Sequence, residues 1–292
     1  MALAGLEYGV PTRNSRVYAP GFYQLPNNSH KYRNWNRYGD GWVDMSLAMA
    51  RSNDTYFYDL AHKLGIDRLH AFMTQFGLGN RVSLDMFEET AGLMPSREWK
   101  RASRRQPWYP GETLITGIGQ GYMLTTPLQL AHSTALIANK GVWKSPRMLM
   151  HAEGLPPDET GTQSDVILKN PDDWDFIIGT MESVMHGERG TSRAAAAGAP
   201  YRMAGKTGTA QVVAIAQGAR YDSEALRERH RDHALFVGFA PADAPQIAVA
   251  VMVENGESGG RVAAPVARTL FDAWLLPEPE IEAEDMTEEV AP

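Results

Sequence analysis

"MAGKTGTAQVV", residues 203–213, sets one lysine between two glycines and follows it with two threonines, ahead of a β-branched run. Gln211-Val212-Val213 reads as a strand. A glycine inside a strand weakens it and marks close approach of a ligand or another backbone. Lys206, Thr207 and Thr209 are therefore predicted at a strand edge, with Gly208 leaving room beside them. A lysine and two hydroxyls so placed make a clamp for an anion such as a carboxylate, and the Thr209 amide is a candidate oxyanion donor. The competing reading is an ordinary strand with a solvent-facing lysine.

The surroundings bound what such a clamp could serve. The chain has 292 residues, 43% hydrophobic and 22% charged, which is ordinary for a globular protein. Its net charge of −7 resides in the last fifteen residues, "EPEIEAEDMTEEVAP", which hold seven acids and no base. Without them the body balances 28 basic with 28 acidic residues. Residues 278–292 are predicted to be a disordered acidic tail behind a domain spanning 1–277. No basic stripe argues for nucleic acid. The absence of cysteine removes disulfides, thiolate metal sites and a cysteine nucleophile. No run of about 18 apolar residues is present to cross a membrane. "MALAGLEYGV" (1–10) is an apolar helical stretch with no N-cap ahead of it, as if the chain began within a core helix.

Upstream of the clamp, residues 11–43 are turn-rich and aromatic, predicting an irregular segment with short strands. Asp44 is placed to cap a helix running to Arg51, a second helix runs from Asp54 to Gly65, and a third is capped by Asp67 and stopped at Gly77. Residues 88–121 read as loop. Thr126, Pro127 and Gln129 form a capping box for a helix that Gly141 stops. "DDWDFIIGTMESVMHG" is another helix, "HALFVGFAP" and "PQIAVAVMVE" are strands, and "RVAAPVARTLFDAWL" closes the body as a helix. A helical front with a terminal run of strands predicts an α+β fold.

Ser52-Asn53-Asp54 sits where the first two of those helices meet. A serine and an acid two apart at a helix corner can both point into a cleft. Taken alone they are better explained by plain capping, with Ser52 and Asp54 as N-cap residues and Asp54 favouring the helix dipole. Other candidates are weaker. "GIGQG" (117–121) lacks the dinucleotide-binding spacing. The eight histidines show no metal-ligand spacing, and the pair His230 and His233 reads as solvated loop. The acids of "DDWDF" (172–176) suit a helix N-terminus.

Taken together, the clamp and the helix corner say more: S-x-x-K, a serine–x–Asn type motif and K-T-G are the signature set of penicillin-binding proteins and serine β-lactamases, and this chain carries K-T-G at 206–208 and serine–x–Asp at 52–54. With "PGFYQLP", "SNDTYFYDLA", "GLMPSREWKR", "QPWYPGETLITGIGQGYMLTTPLQLA", "GKTGTAQV", "HALFVGFAP" and "AVAVMVENG", the chain resembles the transpeptidase domain of class B penicillin-binding proteins, in the penicillin-binding protein 2 branch, over about residues 2–277. Asp54, where many relatives carry asparagine, is typical of that branch.

The resemblance implies an antiparallel sheet flanked by helices, and a peptidoglycan D,D-transpeptidase that cross-links stem peptides through a serine acyl-enzyme, without cofactor or metal. It implies that Ser52 relays a proton between the catalytic lysine and Lys206, and that Asp54 orients the motif and contacts the substrate amide. Lys206 would supply positive charge, and Thr207, Gly208 and Thr209 would form the edge that grips the terminal carboxylate of D-Ala-D-Ala or of a β-lactam. "GIGQG" would be a structural loop near the cleft. Implied partners are stem peptides, β-lactams, a membrane glycosyltransferase and elongation-complex proteins, with the enzyme anchored in the inner membrane and its catalytic domain in the periplasm.

One departure stands out. No serine or threonine of this sequence has a lysine three residues on, so the S-x-x-K nucleophile motif is not among these residues. The expectation is a chain that begins just after that motif, lacks the first two sheet strands and the anchor helix, and does not acylate alone. The alternatives are a non-catalytic module binding cell-wall peptide or penicillin, and a D,D-carboxypeptidase or β-lactamase using water as acceptor.

Overall fold

The computed structural model describes residues 1–150, 163–213, 221–222 and 224–277. The predicted acidic tail lies outside the described residues.

The chain opens with α1 (Ala2–Glu7) and four short strands, β1 (Val17–Ala19), β2 (Phe22–Gln24), β3 (Lys31–Arg33) and β4 (Gly41–Val43). These pair antiparallel as β1 with β4 and β2 with β3, as the turn-rich reading of 11–43 anticipated. A helical body follows: α2 (Met45–Arg51), α3 (Asp54–Leu64), α4 (Ile66–Met73), α5 (Arg97–Arg104), α6 (Pro110–Gly117), α7 (Pro127–Ala138), α8 (Asp172–His186) and the short α9 (Arg193–Ala196). The sheet comes last, with β5 (Ala204–Ala210), β6 (His233–Ala240), β7 (Ile247–Val253) and the closing α10 (Ala264–Leu275). Its order is β5-β6-β7, all antiparallel, with β5 at an edge.

Two cores hold these parts. The larger joins Leu3, Tyr56, Leu60, Ile66, Leu69, Leu114, Leu136, Trp174 and Ile177 across the helical body. The smaller packs α10 on the sheet through Ala234, Phe236, Val251, Ala267 and Phe271. Side chains alternate across a strand, so the opposite face of β6 sends Phe239 into the helical core and Val237 to the wall of a cleft.

Much of the helix punctuation follows from local chemistry. Asp44 accepts from the Leu47 amide at the start of α2. Thr126 and Gln129 close a capping box on α7. Gly77 ends the helical turn after α4 with φ 84°, a conformation glycine adopts without strain.

Three expectations change. The strand is Ala204–Ala210, and Gln211–Val213 lies beyond it. Pairing decides this: the register runs from Ala204 opposite Phe239 to Ala210 opposite His233, where β6 begins, and the Val212 amide donates instead to Asp232. Residues 88–121 contain α5 and α6 rather than loop alone; Ser96 caps α5, and Pro110 occupies the first position of α6, where no amide hydrogen is needed. Asp67 does not cap α4. It lies in the first turn and pairs with Arg97.

Candidate active site

The clamp and the helix corner meet. Lys206 Nζ donates to Ser52 Oγ across 2.8 Å and to the Thr207 carbonyl across 2.8 Å. The solvent-facing reading of Lys206 is thereby overturned. The cap of α3 turns out to be Asn53, whose side chain accepts from the Tyr56 amide, so the N-cap reading of Ser52 and Asp54 falls, while Asp54 does sit in the first turn of α3, where an acid suits the helix dipole. Ser52 instead ends α2 in the left-handed conformation, φ 52°, and Asp54 opens α3. The corner is thus built so that the residue between them does the capping and both neighbours are left to the cleft.

That cleft has a volume of about 1610 Å³ and is lined by Ser52, Asp54, Lys206, Thr207, Gly208 and Thr209 together. Burial pushes Lys206 down to about 8, against the opposing pull of Asp54. Burial also pushes Asp54 up to about 6, resisted by the Trp35 amide and by Lys206. Both groups therefore sit where a proton can leave or arrive near neutral pH.

Several supports were not legible as site residues. Asp40, within a Gly-rich turn, receives Arg51 Nη2 at 2.8 Å, Asn53 Nδ2 at 2.6 Å and Asn36 Nδ2 at 3.0 Å. Burial raises its pKa, but these bonds more than offset that and hold the carboxyl low. The Asn34 side chain accepts from the Asp54 amide, and the Trp35 amide donates to the Asp54 carboxylate. The segment 34–40 thus wraps the Ser52 corner. On the other side, Thr191 donates its amide to the Ala50 carbonyl and shares a 3.0 Å hydroxyl contact with Thr207. It ties α2 to β5.

Gln120, from the "GIGQG" loop, donates to the Thr209 carbonyl at 2.5 Å, placing that loop beside the cleft as expected. In an antiparallel strand the N–H and C=O of one residue face the same side, so the Thr209 amide also faces outward from β6. Glycines 259 and 260 press the following turn onto the same strand: a Cβ on Gly259 would stand 2.6 Å from the Gly208 carbonyl oxygen.

Two of the weaker candidates have structural contacts. His233 accepts from the Asn255 amide as the first residue of β6, rather than lying in loop, while Asp173 of "DDWDF" pairs with Arg13. Among the described residues no three His, Asp or Glu side chains converge to hold a metal, and no helix is long and apolar enough to cross a membrane.

Residues 1–272 match the family described as "Penicillin binding protein transpeptidase domain". The chain belongs to that family. Among curated transpeptidase relatives, it is 45% identical over 278 residues to the peptidoglycan D,D-transpeptidase MrdA of Acinetobacter baumannii, covering 94% of this chain and 41% of that protein. The crystal structure of Pseudomonas aeruginosa PBP2 in complex with WCK 5153 superposes with a TM-score of 0.87 at 62% identity, covering 95% of this chain and 57% of that one. Helicobacter pylori PBP2 in complex with MreC gives 0.81 at 28% identity, covering 94% and 47%. The chain spans less than half the length of the curated MrdA relatives it matches. The fold is therefore the transpeptidase fold, with mixed helices and an antiparallel sheet.

Proposed function

We propose that this chain forms the substrate-holding and proton-relay part of a peptidoglycan D,D-transpeptidase of the penicillin-binding protein 2 type, acting in cell elongation and shape. The observation that carries the reading is the 2.8 Å bond between Lys206 and Ser52, beside the open edge of β5.

In this reading the terminal carboxylate of a D-Ala-D-Ala stem lies against Thr207 and Thr209, beside Gly208, under the charge of Lys206. The Thr209 amide faces the oxyanion. A serine from S-x-x-K, a motif that these 292 residues do not contain, attacks the penultimate D-Ala carbonyl. The C–N bond breaks, the serine ester forms, and the leaving D-Ala amine takes a proton through Ser52. An amine of a second stem then attacks the ester, gives its proton back along the same path and restores the serine. Asp54 fixes the corner that holds Ser52 and meets the substrate amide. β-Lactams enter as strained amides bearing the same carboxylate. The partners in this reading are a membrane glycosyltransferase and elongation-complex proteins of the kind that MreC represents beside the Helicobacter enzyme. The setting is the periplasmic face of the inner membrane.

Fluorescent penicillin tests the reading. The 292-residue chain alone is expected to take no covalent label. A protein carrying this chain together with an S-x-x-K segment is expected to label, and to lose most of that label with Lys206→Ala. Stoichiometric labelling of the chain alone, or undiminished labelling of the Lys206 variant, overturns it. No labelling even of the protein that carries the S-x-x-K segment overturns it too.

A further inference from the structure

A second cavity, about 970 Å³, opens beside the cleft, and His30, Tyr32 and Ile115 line both. The two are one continuous surface. Neither Ser52–Asp54 nor Lys206–Gly208 lines this part of it.

The lining is chemically uniform. Rings dominate it: His30, Tyr32, His62, Tyr109 and Tyr122. They are held in fixed attitudes. His30 meets Tyr32 edge-on at 4.6 Å, Tyr32 packs on Tyr58, and Tyr23 bridges Tyr58 to His62. Gly111 makes room for this floor, because a Cβ there would stand 2.1 Å from the Tyr32 hydroxyl. Asn27 and Asn28 add amides at the rim. Charge is nearly absent. Among the described residues the one carboxylate of the lining, Glu112, is committed to the fully buried Lys100, which also lies 4.3 Å from the centre of the Tyr109 ring. Tyr109 is thus anchored on one side and still 53% exposed.

Fixed aromatic faces favour ligands with flat apolar surfaces, and neutral amides favour hydroxyl and acetamido groups. Among the described residues the lining has no lysine or arginine, so no permanent positive charge is there to favour an anion. The volume is near the top of the range of about 300–1,000 Å³ for small-molecule sites, which suits several linked rings rather than one. A neutral, polyhydroxylated ligand with apolar ring faces is a sugar chain. We propose that this groove binds the amino-sugar strand from which the stem peptide in the cleft hangs. The inference rests on the transpeptidase reading for the identity of the sugar, and on the groove alone for its class.

Calorimetry on the 292-residue chain separates the two. One probe is the tetrasaccharide of β-1,4-linked N-acetylglucosamine, which has the acetamido sugar rings and no carboxylate. The other is diacetyl-lysyl-D-Ala-D-Ala. The variants His30→Ala and Tyr109→Ala alter exposed side chains, and circular dichroism checks that each folds. Each is expected to weaken the tetrasaccharide by about fivefold, the scale of one lost ring contact, and to leave the tripeptide unchanged. Lys206→Ala is expected to do the reverse. No tetrasaccharide binding, or binding indifferent to both groove variants, overturns the inference while tripeptide binding leaves the transpeptidase reading standing. Tripeptide binding that depends on Tyr109 also overturns it, because the groove would then hold peptide. Groove-dependent sugar binding with no tripeptide binding upholds the groove and overturns the transpeptidase reading.

Discussion

Lys206 and Ser52, 154 positions apart, meet at 2.8 Å at the head of the cleft. Burial that lowers Lys206 to about 8 makes this contact pH-sensitive. A lysine carries its charge below its pKa, and a ligand carboxylate prefers the charged form. Binding of diacetyl-lysyl-D-Ala-D-Ala should therefore be strongest below about pH 8 and weaken by up to about tenfold per pH unit above it. Folding runs the other way. The unfolded lysine titrates near 10.5, so between about 8 and 10.5 the unfolded chain holds more protons and stability contributed by this group rises with pH. Lys206→Arg, which stays charged, should flatten the binding profile.

Ser52 has a left-handed backbone, where a Cβ costs about 1–2 kcal/mol. Ser52→Gly removes that strain but adds freedom to the unfolded chain, about 0.4–1 kcal/mol. The urea midpoint should hold or rise slightly, whereas Ser52→Ala keeps the strain and should not gain. Both remove the hydroxyl that Lys206 reaches and should abolish penicillin labelling in the protein that carries S-x-x-K.

Asp40 is raised by burial, but hydrogen bonds from Arg51, Asn53 and Asn36 more than offset this and hold its carboxyl low. A depressed carboxylate stabilises the fold above its unfolded pKa, and that contribution is lost as pH falls through the lower folded value. Urea unfolding should show stability dropping below about pH 4. Asp40→Asn should remove part of that dependence and cost about 2–3 kcal/mol at neutral pH, because Arg51 loses its partner.

Thr191→Val keeps the backbone bond to Ala50 and removes the hydroxyl contact with Thr207. A neutral hydrogen bond contributes about 0.5–1.5 kcal/mol, so tripeptide affinity should fall by up to about tenfold. The thermal midpoint should move little. A large fall in midpoint with unchanged affinity would assign Thr191 to the scaffold.

Gly208 and Gly259 separate room from necessity. A Cβ on Gly208 meets Leu235 Cβ at 3.3 Å, which a small shift accommodates. A Cβ on Gly259 would stand 2.3 Å from the Leu235 carbonyl oxygen, which backbone cannot yield cheaply. Gly208→Ala should fold with a thermal midpoint near that of the parent chain. Gly259→Ala should lower it by many degrees.

What the sequence by itself determined is local. The caps at Asp44 and Thr126 and the stop at Gly77 depend on bonds within a few residues, so composition and spacing suffice to read them. The edge position of Lys206, Thr207 and Thr209 followed from glycines in a strand, and the family from motifs spread along the whole chain. What only the tertiary structure decided depends on a partner distant in sequence. β5 ends at Ala210 because β6 begins opposite it at His233. Asn53, not Ser52 or Asp54, caps α3 because α2 ends with Ser52 turned left-handed toward Lys206. Asp40, Thr191 and Gln120 look like turn and loop residues until packing brings them against the two motifs. Hydrogen bonds that span 11 to 89 residues leave no local pattern, since any polar side chain can make them once the two cores have set the distance.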